Sequence, residues 1–179
     1  LLLSKKSILV EGPTEYLLLP KLYKKINASS VENDEISIIS CNGITYQRYL
    51  DIAEKTNKKV LVLTDNDNKI KNIKEKRKTN GKLQRVYMSD DINEWTWEKC
   101  FYKLNQVVLD KLFADKIKTD KEDDETDLAE DDTSDDNISP TLRWMLKHKT
   151  ETAYKMSFLP DDEIEVPQYI QEALRWIKE

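Results

Sequence analysis

Strands alternating with helices predict an α/β fold for this chain. It should hold a parallel sheet of about four strands flanked by helices, a helical C-terminal part and an acidic insertion. Short, almost unbroken apolar runs recur at SILVE (7–11), EISIIS (35–40), KKVLVLTD (58–65) and LQRVYM (83–88). Helix-periodic stretches separate them, as the crossovers of a parallel sheet require. The 179 residues are enough for one α/β domain with an appendage, and 39% hydrophobic against 35% charged residues suits a heavily solvated surface.

Each element has its own justification. SILVE reads as a short buried strand. Pro13 stands at a first helical position, where its missing N–H has no partner to lose, and opens an amphipathic helix to about Ile26. After EISIIS, the stretch TYQRYLDIAEKT (45–56) sets Tyr46, Tyr49, Leu50 and Ala53 at helical spacing. KKVLVLTD is apolar almost throughout, as a strand buried on both faces must be. Ile70 to Lys78 reads as a lysine-rich surface helix leading to the fourth strand. Beyond Met88, NEWTWEKCFYKLNQVVLDKLF (93–113) passes from loop to helix. Ser139 then caps a helix that has Pro140 in its first position. Helical pattern continues with interruptions to Leu159, and PQYIQEALRWIKE (167–179) is a final helix. The expected organisation is a core over 1–113, an acidic insertion or linker over 114–138, and C-terminal helices over 139–179 that complete the domain.

Charge is unevenly spread. Twelve acidic and three basic residues between Asp115 and Asp136 give a local net of −9 within a chain of −5, so the remainder carries +4. That stretch lacks the apolar content to build a core and reads as an exposed insertion. Between Asn68 and Arg85, eight Lys or Arg residues face one Glu, a concentration able to attract phosphate. No apolar run reaches a membrane-spanning length and no signal-peptide pattern opens the chain, so a cytoplasmic protein is expected. Cys41 and Cys100 fit no metal-ligand spacing and read as reduced, buried residues. The start LLLSKK, without methionine, suggests a piece of a larger protein. Neither GxxxxGK[ST] nor GxGxxG occurs, so no nucleotide site is expected in the chain itself.

Ligands of parallel α/β sheets sit at the carboxyl ends of the strands. Glu11 ends the first strand and Glu15 lies in the first turn of the next helix. Asp65 and Asp67 follow the third strand, and Glu98 follows the fourth by ten residues. Five carboxylates in one crevice would repel one another unless cations neutralise them, and hard oxygen donors suit Mg2+ or Mn2+. Taken singly, Glu15 also gains from the helix dipole, and Asp65 and Asp67 also suit a turn. Glu11 has no capping duty to explain it.

The combination of LVEGPTE, with Glu11 before Gly12, and the Asp-x-Asp of VLTDND resembles the Toprim domain of topoisomerases, primases and certain nucleases. Among these it looks most like the C-terminal domain of the OLD (overcoming lysogenization defect) ATP-dependent endonucleases, the group that includes the Gabija phage-defence nuclease. Glu15 four residues after Glu11, Thr96-Trp97-Glu98 and Lys149 in HKTETA extend the match over roughly residues 5 to 157.

The resemblance implies a Rossmann-like Toprim fold and a metal-dependent DNA endonuclease hydrolysing phosphodiesters with two Mg2+ or Mn2+ ions. Glu11, Asp65 and Asp67 would hold one ion and Glu15, Asp65 and Glu98 would lie close to the other, with Glu11, Asp65 and Lys149 as the catalytic set. It also implies a preceding ATPase domain, a homo-oligomer and a role in antiviral defence. Lys69, Lys71, Lys74, Lys76, Arg77 and Lys78 are candidate DNA-backbone contacts, although a solvated helix would carry the same lysines. Tyr46, Tyr49, Trp95 and Trp97 fit either base stacking or a core. His148, the lone histidine, has no Ser or Cys partner for nucleophilic catalysis. Two alternatives stay open: a Toprim domain of primase or topoisomerase type, and a degenerate module that binds DNA or assembles without catalysis.

Overall fold

β1 (Lys6–Val10) and β3 (Lys59–Leu63) form the centre of a four-stranded, all-parallel sheet in the order β2-β1-β3-β4, with β2 at Ile36–Ser40 and β4 at Gln84–Tyr87. The structure is a computed structural model that describes residues 4–41, 45–76, 79, 81–123 and 138–179. The continuous apolar runs explain which strands are central. Successive side chains of a strand point to opposite faces, and both faces here are covered. Ile8, Val10, Leu61 and Leu63 enter one hydrophobic cluster while Leu9, Val60 and Val62 enter another. Register respects this division, because Ile8 pairs with Leu61 and Leu9 with Val62. A slip of one residue would exchange the two sets.

The smaller cluster is closed by Leu50 and Ala53 of α2 (Gln47–Lys55) and Ile73 of α3 (Ile70–Lys76). The larger one gathers α1 (Pro13–Asn27), α4 (Trp97–Asp123), α5 (Pro140–Lys147), α6 (Lys149–Ser157) and α7 (Gln168–Lys178) over the other face. The expected parallel α/β architecture with a helical C-terminal part is therefore what the chain adopts. Helices from both ends of the chain share one core, with α1 packed on α6 and α7. Ser139 Oγ accepts the Leu142 N–H at 3.1 Å, the cap its position implied. Cys41 and Cys100 are both buried and free. No described helix is long and apolar enough to cross a membrane.

Helix α4 differs from the expectation of a helix ending near residue 113, since it runs to Asp123. Its apolar face continues: Phe113 is fully buried, Leu112 and Ile117 pack on the core, and Lys116 reaches Glu151 of α6 at 3.0 Å. The remaining acidic stretch, 124–137, lies outside the described residues. Within α4, Asn105 leaves helical geometry (φ −120°, ψ 25°). Its side chain repairs the break, donating to the Phe101 and Glu165 carbonyls at 2.9 Å and accepting the Glu165 N–H at 2.6 Å.

The amino edge of the sheet is closed by α7. Lys59 Nζ donates to the Trp176 carbonyl at 2.6 Å, and Lys6 Nζ donates to that of Lys178. Lys59 and Arg85 also lie 4.6 and 4.9 Å from the centre of the Trp176 ring. The acidic residues lie at the opposite, carboxyl edge.

Candidate active site

The chain leaves β1 for β2 on one side and later returns to β3 on the other, which makes the carboxyl ends of β1 and β3 the switch point of the sheet. Glu11 follows β1 directly, and its Oε1 accepts the Thr64 hydroxyl from the end of β3. Glu15, 8% exposed, turns back within the first turn of α1 so that Oε2 accepts the Gly12 N–H at 3.1 Å. Asp65 receives the Trp97 backbone N–H at 3.1 Å. Glu98, 3% exposed, accepts from the Thr96 hydroxyl and lies 3.4 Å from Lys149 Nζ, which also donates to Thr96 Oγ1 at 3.2 Å. Lys149 begins α6, so helices from distant parts of the chain deliver an acid and its cation to one point.

Asp67 is exposed, as Glu11 is, whereas Glu15 and Glu98 are buried. The Asp67 side chain is 52% exposed and pairs with Lys69 at 3.8 Å and Asn72 at 3.3 Å. Among the described residues, no three His, Cys, Asp or Glu side chains already close around one point as a metal cage would.

Electrostatics nonetheless tie the five together. Burial, then the charges of Asp67 and Glu15, push the Glu11 carboxyl up to about 7. Burial, with Glu15, Glu98 and Glu11 adding to it, pushes Asp65 up to about 8. Glu15 is raised as well, chiefly by burial, with Glu98 adding to it. Lys149 counteracts the rise at Glu11 and Glu15. Such a site holds anionic oxygens short of positive charge, and in donor type and sign it fits hard divalent cations.

Two residues that sequence reasoning passed over help to build the site. Thr64 supplies the hydroxyl on Glu11, and its only signal is a polar residue closing an apolar run. Asn66, 1% exposed, lies between the two aspartates and bonds across to the segment after β4. An asparagine between aspartates reads as one more turn former. Beside Glu11, a hollow of about 280 Å3 is lined by Cys41, Thr45, Tyr46 and the ends of β1 and β3.

The candidate DNA contacts divide. Lys69, Lys71 and Lys74 are exposed, with Lys71 3.8 Å from Glu75, and Lys76 closes α3. Arg77 and Lys78 lie outside the described residues. Base stacking does not suit Trp97, which is 1% exposed and packs on Phe101 with ring centres 5.7 Å apart. Tyr46 and Tyr49 pack on the smaller core cluster, while Trp95 lies beneath Lys99. His148 stacks on Trp144 at 4.6 Å.

A parallel 2-1-3-4 sheet with helices on both faces and its acidic residues at one edge is a Toprim-like α/β fold. Residues 2–67 match the model of the overcoming lysogenization defect protein-like TOPRIM domain. The match spans β1 to Asp67, so Glu98 and Lys149 lie beyond it. The chain superposes on the C-terminal region of the Burkholderia pseudomallei OLD protein with a TM-score of 0.66 at 17% identity, covering 98% of each chain. For the corresponding region of the Xanthomonas campestris pv. campestris OLD protein, phased with mercury, the TM-score is 0.60 at 18% identity, covering 99% of this chain and 96% of that one. In the platinum-phased structure these values are 0.58 and 19%, with 98% and 92% covered. These likenesses establish the fold. No curated protein sequence matches the chain.

Proposed function

We propose that this domain is a metal-dependent DNA endonuclease that hydrolyses phosphodiester bonds, the nuclease part of an OLD-like defence protein with an ATPase domain elsewhere in the assembly. One observation carries the reading. Glu11, Glu15, Asp65, Asp67 and Glu98 meet electrostatically at the switch point of the sheet, with Lys149 opposing their charge. Glu11, Asp65 and Asp67 would hold one ion and Glu15, Asp65 and Glu98 a second. Two Mg2+ or Mn2+ ions would supply an activated water and neutralise a leaving oxygen. Thr64 and the Trp97 N–H orient the Glu11 and Asp65 carboxylates. Lys149 stands where a cation could offset charge growing on the phosphate. Lys69, Lys71 and Lys74 would hold the DNA backbone without regard to sequence.

Plasmid DNA incubated with the protein in Mg2+, Mn2+ or EDTA tests this. Cutting that needs metal and disappears in both Glu11→Ala and Asp65→Ala supports the reading; intact plasmid in every metal, or undiminished cutting by the variants, overturns it. A second reading, a non-catalytic nucleic-acid-binding or assembly module, draws on the open spacing of the five carboxylates. It predicts DNA retention without cleavage in the same assay.

A further inference from the structure

The Asp65–Asp67 loop and the segment from Ser89 to Glu98 are separate in sequence, yet the site needs both. Asn66 joins them. Its Nδ2 faces three backbone carbonyls of the second segment, those of Ser89 at 3.2 Å, Asp91 at 2.9 Å and Glu94 at 3.3 Å. Its Oδ1 meanwhile accepts the Asn68 N–H at 2.9 Å within its own loop. Two further bonds cross the same gap: the Asp67 N–H donates to the Trp95 carbonyl at 3.3 Å, and the Trp97 N–H donates to Asp65 Oδ1 at 3.1 Å.

Backbone geometry shows what this clasp restrains. Asp67 and Asn68 both adopt positive φ, 53° and 55°, two successive residues in a left-handed conformation that non-glycine residues rarely keep. Such conformations persist where surrounding contacts over-determine them. The contacts here are those of Asn66 and of Asn72, whose Nδ2 donates to the Asn66 carbonyl at 3.1 Å and also reaches Asp67. A buried amide with both ends occupied is hard to replace. Alanine leaves three carbonyls and one N–H without it, and aspartate would set a carboxylate against three carbonyl oxygens.

We propose that Asn66 is a positioning residue that fixes Asp65 and Asp67 relative to Glu98, so that carboxylates from a loop and from the start of α4 act as one cation-binding group. The inference rests on the metal-dependent reading above and adds to it the residue that sets the affinity. Residues that orient ligands from behind typically change metal affinity 10- to 100-fold when lost.

Mn2+ binding to the protein without DNA tests it, read as loss of the free-ion electron paramagnetic resonance signal, for wild type, Asn66→Ala and Asn66→Asp. Hydrogen exchange of the same three proteins accompanies it. The expected result is Mn2+ affinity weakened about tenfold or more in both variants, with faster exchange confined to residues 89–97 and full protection kept in β1 and β3. A merely structural role would speed exchange throughout the sheet and leave the affinity of the folded fraction unchanged, which would overturn the proposal. Should Asn66→Ala fail to fold, Asn66→Asp, which keeps the side-chain shape and the acceptor for Asn68, decides by the same two readings. Wild type that binds no Mn2+ would overturn the functional reading, and this inference with it; wild-type binding with unchanged variants would overturn this inference alone.

Discussion

Replacing Asp65 by asparagine should stabilise the metal-free protein, and by more as pH rises. Asp65 ionises near 3.8 when unfolded but only near 8 in the folded chain, because burial and the charges of Glu15, Glu98 and Glu11 oppose its ionisation. Between those values the native state holds a proton that the unfolded state has released, so stability falls across that window as pH rises. The favourable contribution is complete below about pH 4 and is lost above about pH 8. At about 1.4 kcal/mol per pKa unit the ceiling is about 6 kcal/mol. Local relaxation and water entry at the mouth of a crevice reduce the net effect to about 2 kcal/mol, or about 4–8 °C in Tm for a chain of this size. Asparagine cannot ionise and keeps the Oδ1 that accepts from Trp97, so it removes the penalty without removing the bond. Thermal unfolding in EDTA at pH 4.5 and pH 8.5 measures it. Comparing the two proteins at each pH cancels the acid sensitivity they share. Asp65→Asn should be close to wild type at pH 4.5 and clearly more stable at pH 8.5. An advantage that does not grow with pH, or a variant less stable at pH 8.5, would refute the electrostatic account.

Three other outcomes are expected. Lys149→Ala removes the cation beside a Glu98 that is 3% exposed; single-turnover DNA cleavage should drop about 100-fold or more, and an unchanged rate would remove Lys149 from the chemistry. Phe113→Ala should cost about 3–5 kcal/mol in urea unfolding, because the ring is fully buried against Trp144 with centres 4.8 Å apart. A cost below about 1 kcal/mol would mean that this part of α4 is not built into the core. Charge reversal of Lys69, Lys71 and Lys74 together should weaken DNA binding at low salt and lower the slope of log affinity against log salt by about one per lost phosphate contact; an unaltered slope would place the DNA on another surface.

How much of this was legible in the sequence depends on the range of the interactions. The sheet was legible because a two-sided strand must be apolar almost throughout, and SILVE, EISIIS, KKVLVLTD and LQRVYM announce themselves one by one. Glu11 was legible as an acid with no local duty. The reach of α4 was hidden, since Ile117 and Lys116 lie in a stretch dominated by charge and find their partners only on the core and α6. Asn105 was hidden for the same reason: an asparagine inside a helical pattern shows nothing of the Glu165 backbone it will bond. Asn66 is the strongest case, because its role exists only once the Asp65–Asp67 loop meets the segment after β4. Local pattern identifies which residues could act, while the contacts that aim them come from elsewhere in the chain.

The two edges of the sheet show how this protein sustains an unfavourable site. At the amino edge, Lys6 and Lys59 find carbonyls of α7, and Lys59 and Arg85 flank the face of Trp176. At the carboxyl edge, Glu11 and Asp65 sit with raised pKa values and Lys149 opposes only part of the repulsion. The same central strands run between the two edges, so favourable packing at one end and along both faces holds in place a cluster that would otherwise spread apart. On the proposed function, stability and cation binding would then be coupled with a definite sign: whatever neutralises the carboxyl edge should stabilise the whole domain, by an amount that grows with the excess of ligand over its dissociation constant. A rise in Tm with added Mn2+ that disappears in Asp65→Asn would join the two edges in a single measurement, whereas an equal rise in both proteins would place the cation somewhere else.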